Sequence, residues 1–284
     1  MTILVFGKTG QVATELQRAA DVFALGRTEV DLNDPEACAR AIAETDAQAV
    51  INAAAYTAVD RAEADEARAT RINGYAPGAM ARAATARDIP FVHISTDYVF
   101  AGDGDTPFRT DHPTGPLSAY GRSKLLGEEA VRAAGGRHAI LRTSWVVSAH
   151  GTNFVKTMLR LGAERPRLTI VADQIGGPTC AADIAAACLE ISAQLRADPS
   201  KSGTYHFAGG PDVSWADFAR TIFARAGLAP EVVDIPTTDY PTPARRPLNS
   251  RMDMTTTTDV FGIARPDWRI GLDNILADLD RSDL

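Results

Sequence analysis

The chain has 284 residues, 45% of them hydrophobic and 23% charged, enough for one large core and a smaller lobe and far from the extremes of disordered or disulfide-stapled proteins. A formal net charge of −7, with no block of Lys or Arg, argues against a nucleic-acid surface. The first apolar run, Thr2 to Phe6, is too short for a signal peptide or a membrane span, so a cytoplasmic protein with no membrane partner is expected.

In chain order, a strand over 2–6 runs into Gly7 and Gly10 and then into an amphipathic helix over 11–20. Dinucleotide-binding units begin this way: glycines let the backbone approach a pyrophosphate, and the helix start supplies free N–H groups. The spacing is Gly-x-x-Gly-x-x-Ala, with Ala13 where a third glycine would stand. Gly7, Gly10, Gln11 and Val12 form the candidate turn. Strand 22–26 follows, then a helix over 34–44 opened by Asp34-Pro35, an N-cap and a first-turn proline. Strand 48–53, a helix near 61–86, strand 90–96, a helix over 118–134 and strand 138–143 complete a βα alternation. That pattern predicts an α/β fold, a Rossmann-like doubly wound parallel sheet.

Two of these elements carry chemistry. Strand 90–96 ends in Ser95-Thr96, at the carboxyl edge where parallel sheets bind ligands, and a hydroxyl there can orient a carbonyl oxygen. The following helix carries Tyr120-Gly-Arg-Ser-Lys124, a phenol and an amine one turn apart on one face. A nearby ammonium is expected to lower the phenol from its free value of about 10 and make Tyr120 a usable acid at neutral pH. Cys38, Cys180 and Cys188 are an odd number without Cys-x-x-Cys, and His93, His112, His138, His150 and His206 show no ligand spacing. No histidine or metal enters the predicted site.

Beyond residue 146 the sequence becomes loop-rich, with Gly-Gly-Pro at 176–178 and Pro-Thr-Thr-Asp-Tyr-Pro-Thr-Pro at 236–243. The predicted organisation is a cofactor domain over 1–146 and a smaller C-terminal substrate-binding lobe over 147–284. A strand at 168–172 and a helix at 182–195 are expected to return to the large sheet.

Several motifs recur in a fixed order: Gly-x-x-Gly-Gln-Val, Asn52-Ala-Ala-Ala-Tyr56-Thr, Ser95-Thr-Asp-Tyr-Val-Phe100, Tyr120-Gly-x-x-Lys124, Arg142-Thr-Ser-Trp145, Asp173-Gln-x-Gly-x-Pro178-Thr and Arg246-Pro-x-x-Ser250-x-Met-Asp253. In this the chain resembles the dTDP-4-dehydrorhamnose reductases of the extended short-chain dehydrogenase/reductase class, over almost its whole length. The Tyr-x-x-x-Lys pair marks only the superfamily; the Ser-Thr-Asp-Tyr-Val-Phe, Asp-Gln-x-Gly-x-Pro-Thr and late Arg-Pro motifs are more specific. The resemblance implies reduction of the 4-keto group of dTDP-4-dehydro-L-rhamnose to dTDP-L-rhamnose, a step of polysaccharide biosynthesis. The hydride would come from a nicotinamide and the proton from Tyr120, with Thr96 on the reacting oxygen and Lys124 on the ribose.

By the same resemblance Asp97, Tyr98 and Trp145 line the sugar site, Asp31 and Leu32 meet the adenine side, and Ala53, Ala54, Ala55 and Tyr56 lie under the cofactor. Asn153 and Arg246 are candidates for the nucleotide end of the substrate, a guanidinium matching phosphate geometry. After the second strand no acidic residue stands ready for a ribose 2′-OH, whereas Arg27 can meet a 2′-phosphate, which favours NADPH and leaves NADH open. Some relatives dimerise through a magnesium site built from glutamates. Glu15 occupies one such position but Ala182 another, so Mg2+ is doubtful and either a monomer or a homodimer is expected. Two rivals stay open. One is a different dTDP-sugar ketoreductase, epimerase or dehydratase on the same fold, although a dehydratase would want Asp-Glu where Asp97-Tyr98 stands. The other is a non-catalytic NADP-binding regulatory subunit.

Overall fold

The structure, a computed structural model, describes residues 1–282. In its first half β1 (Ile3–Phe6), β2 (Val22–Leu25), β3 (Ala49–Asn52), β4 (Phe91–Thr96) and β5 (His138–Thr143) alternate with α1 (Gln11–Ala19), α2 (Pro35–Glu44), α3 (Val59–Ala62), α4 (Glu66–Thr70), α5 (Ala76–Ala86) and α6 (Ala119–Ala134). The second half adds β6 (Val146–Val147), α7 (Phe154–Glu164), β7 (Arg167–Val171), β8 (Ile175–Gly176), β9 (Thr179–Cys180), α8 (Ala181–Ala197), β10 (Gly203–His206), β11 (Val213–Ser214), α9 (Trp215–Arg225), β12 (Glu231–Ile235), β13 (Asn249–Ser250), α10 (Thr255–Phe261) and α11 (Trp268–Ser282).

Six parallel strands form the central sheet in the order β10-β5-β4-β3-β1-β2. In β1, Ile3 and Val5 meet α1 and α8 on one face, while Leu4 and Phe6 meet α2, α5 and α6 on the other. A sheet covered on both faces needs strands apolar at successive positions, which is why β1 and the first three residues of β3 read as unbroken apolar runs. The strand order reverses between β1 and β3. That switch point opens a crevice at the carboxyl edge of the sheet. A third core, from α7, α9, α11 and β7, belongs to the second half of the chain.

Two expectations need correction, and one strand escaped sequence reading. The helix near 61–86 is interrupted: α3 and α4 are short, and a π-helical turn, Arg71–Tyr75, precedes α5. Between α3 and α4, Glu63 reaches across to accept the Ala119 N–H at the start of α6 (2.8 Å). The strand expected at 168–172 does not rejoin the large sheet; β7 pairs only with β12. Its alternation, Arg167 and Thr169 exposed and Leu168 and Ile170 buried, suits a small sheet with one wet face. The sixth strand is β10, which sequence reading did not find, and α8 is the helix that returns.

Candidate active site

The crevice is a cleft of about 840 Å³, within the range of small-molecule sites. Gly7, Gly10, Gln11, Val12, Arg27, Asp31 and Leu32 line one side, Ala53, Ala54, Ala55 and Tyr56 the floor, and Thr96, Asp97, Tyr98, Tyr120, Lys124 and Trp145 the far end. Gly7 has φ +114, a conformation that L side chains rarely adopt, so the turn after β1 depends on glycine. Gly10 caps α1 without a side-chain hydrogen bond, leaving the first N–H groups of that helix free toward the cleft. The residues present therefore fit a dinucleotide. Arg27 is largely exposed and lies 3.5 Å from Asp31, its neighbour one turn on.

At the far end, Thr96 closes β4 and caps a 3-10 turn, accepting from the Tyr98 N–H (3.2 Å) and donating to Asp97 Oδ1 (3.0 Å). Ser95 points elsewhere, its hydroxyl donating to buried Glu128 (2.6 Å), which also holds Arg142 through two hydrogen bonds. Ser118 caps α6 by accepting from Gly121 N (3.1 Å). A Cβ on Gly121 would stand 2.3 Å from the Tyr98 carbonyl oxygen, so only glycine lets α6 sit against the 3-10 turn. This closeness brings the Tyr98 and Tyr120 rings edge to face at 5.5 Å.

Tyr120 and Lys124 are both buried. Burial pushes the Tyr120 phenol up from its ordinary value, the Thr96 hydroxyl beside it acting the other way. The expected lowering is thus not supplied by the protein's own groups: desolvation of the phenolate prevails, and Tyr120 stays a neutral phenol. Burial brings Lys124 down to about 8, against the pull of Glu128. Asp97 is held up at about 6 by burial, opposed by hydrogen bonds from Ser250 (2.6 Å to Oδ2) and Thr96.

Trp145 sits at φ +50, an outlier for a bulky residue. It stacks on Trp215 with ring centres 3.5 Å apart, and Trp215 donates its Nε1–H to Gln174 (3.1 Å). Asn153 departs from expectation. It caps α7, accepting from Lys156 N, and its amide donates to Gln11, Ser148 and His150 oxygens. With its amide hydrogens taken up inside the protein and its place outside the cleft lining, it ties the α1 start to the second half of the chain. Arg246 also lies outside the lining. Its Nη2 is paired with Asp60 (2.6 Å), while its Nη1 is buried without a hydrogen-bond partner and its charge reaches Tyr98.

Other residues of the site escaped sequence reading. Asn73, in the π-helical turn, accepts from Tyr56 N (2.8 Å) and donates to Tyr56 O and Ser123 Oγ; Ser123 in turn donates to Tyr120 O (2.7 Å). One buried amide thus joins the cleft floor to the tyrosine helix. An asparagine inside an apparently helical stretch was the available signal, since π turns gather at functional sites. Glu15 binds His150 (2.9 Å) and lies 3.5 Å from Arg18. Ala182, which lines the same small pocket, offers no side-chain ligand, and Glu15 is already bound to His150, so the two positions do not supply the glutamates that such a magnesium site would need.

A family model described as the RmlD substrate binding domain matches residues 1–281. The chain is 46% identical to a dTDP-4-dehydrorhamnose reductase of Burkholderia thailandensis, over 98% of this chain and 99% of that protein. Among solved structures it is similar to a dTDP-4-dehydrorhamnose reductase of Clostridium acetobutylicum (TM-score 0.92, 34% identity, 99% of this chain and 100% of that one). It is also similar to one of Bacillus anthracis solved in complex with NADP (TM-score 0.90, 32% identity, 98% and 99%).

Proposed function

The chain belongs to the dTDP-4-dehydrorhamnose reductase family, a family of oxidoreductases, and on that premise we propose that it reduces dTDP-4-dehydro-L-rhamnose to dTDP-L-rhamnose with NADPH. The observation that carries this reading is the buried Tyr120 on the cleft wall, one turn from Lys124 and beside Thr96 at the end of β4. NADPH supplies the hydride for such a reduction. The glycine turn and the open start of α1 would hold its pyrophosphate, Arg27 would meet its 2′-phosphate, and Lys124 would hold its ribose. Tyr120 gives its phenolic proton to the C4 oxygen as that oxygen gains charge, and the Thr96 hydroxyl orients the same oxygen. Burial suits this direction because it keeps the donor loaded with its proton.

Tyr98, Asp97 and the strained Trp145 bound the sugar. Arg246, beside Tyr98 and with one guanidinium nitrogen unpartnered, is the candidate for the anionic end. The same reading divides the chain near residue 146, cofactor before it and nucleotide sugar after it, with α8 and β10 serving the cofactor side. The test is incubation of the purified protein with dTDP-4-dehydro-L-rhamnose and NADPH, following absorbance loss and identifying the sugar formed. Absence of NADPH consumption by folded protein would refute the reading.

A further inference from the structure

His93, to which no chemistry was assigned from sequence, lies wholly buried in β4 with both ring nitrogens engaged. Its Nε2 is 3.3 Å from Lys124 Nζ, and its Nδ1 is 3.1 Å from the side-chain amide nitrogen of Asn52, the last residue of β3. The orientation of that amide is fixed by the main chain. Asn52 Oδ1 accepts from the Ala54 N–H (3.2 Å), and a backbone N–H can only donate, so a flipped amide would set two donors face to face. Asn52 therefore presents N–H to His93, Nδ1 must be the acceptor, and the single ring proton lies on Nε2, facing Lys124.

We propose that His93 is a positioning residue that sets the protonation of Lys124: locked by Asn52 with its proton on Nε2, the ring offers the lysine a donor where an ammonium would need an acceptor, and so favours the neutral amine. A neutral amine satisfies every partner. Its lone pair accepts from Nε2–H, one hydrogen goes to the Ile94 carbonyl (2.8 Å), and the other remains for the cleft. An ammonium in the same place has a third hydrogen aimed at the ring N–H. Burial acts in the same direction on both side chains, and His93 is held well below its ordinary value, so the ring does not relieve the conflict by charging. The charge that acts on the amine is that of Glu128, one turn after it on the same helix, which opposes the effect but is itself bound to Arg142; Tyr120, one turn before it, and Asp97, from the turn after β4, share the cleft wall.

The functional weight of this assignment rests on the proposed reduction, but its test reads the protein without cofactor or substrate and fails separately. The chain has four lysines, Lys8, Lys124, Lys156 and Lys201, so a 13Cε-lysine NMR spectrum is simple and Lys124→Arg identifies the resonance. In the wild type the Lys124 signal is expected to titrate well below the other three. In Asn52→Ala, which keeps the imidazole but frees its tautomer, the midpoint should rise by about one pH unit; His93→Gln, which can turn a carbonyl oxygen to the amine, should raise it likewise. A purely structural imidazole would leave the midpoint of Asn52→Ala in place, and equal midpoints in wild type and a folded variant would overturn the proposal. Where neither variant folds, the 15N shifts of His93 in the wild type decide: a proton on Nδ1 overturns the assignment, and one on Nε2 supports it.

Discussion

Asp97→Asn should make the protein more stable at neutral pH and remove a pH dependence that the wild type carries. The carboxyl is 3% exposed, and burial holds it at about 6 against a reference of 3.8. Between those two values the folded state keeps a proton that the unfolded state has released, so stability falls as pH rises through the window and the full penalty stands above about 6. The shift corresponds to about 3 kcal/mol at most. Asparagine keeps the shape and carries no charge to desolvate. It does exchange one acceptor for a donor opposite the Thr96 or Ser250 hydroxyl, and reversing that hydrogen bond costs on the order of 1 kcal/mol. The net expectation is a gain of about 2 kcal/mol near pH 8, shrinking to nothing or reversing near pH 4.5. Urea denaturation of both proteins at a series of pH values, followed by tryptophan fluorescence, measures the difference directly. A stability gap that stays constant across the window would refute the reasoning, because a change of packing or hydrogen bonding alone has no such slope.

Three further substitutions probe the site. Tyr120→Phe should cut turnover by on the order of 10²- to 10⁴-fold while NADPH binding, measured by fluorescence titration, stays near wild type; near-normal turnover would remove Tyr120 as the acid. Arg27→Ala should weaken NADPH by about 1.5–3 kcal/mol and leave NADH nearly unchanged, whereas equal losses would mean that the arginine only supports its loop through Asp31. Gly121→Ala places a methyl against the Tyr98 carbonyl and should destabilise the fold by about 1–3 kcal/mol. A variant as stable as the wild type by thermal melting would show that α6 can retreat without cost.

What the sequence made legible was local. The glycine turn after β1 is written in a handful of adjacent residues, because φ +114 at Gly7 is a demand that few residue types meet. Tyr120 and Lys124 likewise follow from helical spacing. Partners distant in the chain were not legible. Nothing in Arg167 to Val171 says that it will pair with Glu231–Ile235 and not with β5, and nothing in Gly203–His206 names it as the sixth strand. Asn153 looked free to bind because its competitors, Gln11 and Ser148, come from elsewhere in the fold. His93 and Asn73 were overlooked for the same reason: each matters through a hydrogen bond to a residue 17 to 50 positions away. Periodicity reports which face is buried but not what meets it.

The return of α8 and β10 to the large sheet bears on how this protein can be taken apart. A fragment ended near residue 146 would carry β5 as a raw edge, its backbone groups unpaired where β10 now sits, and would uncover the apolar bed on which Ile184, Cys188 and Ile191 rest. Open, hydrophobic edges of that kind recruit other chains. The second half is consequently no cassette: transplanting it from one relative to another transfers a strand and a helix of the central sheet along with the smaller core. A chimera that keeps the two together, with the crossovers inside 181–206 left intact, is the one whose sheet stays whole.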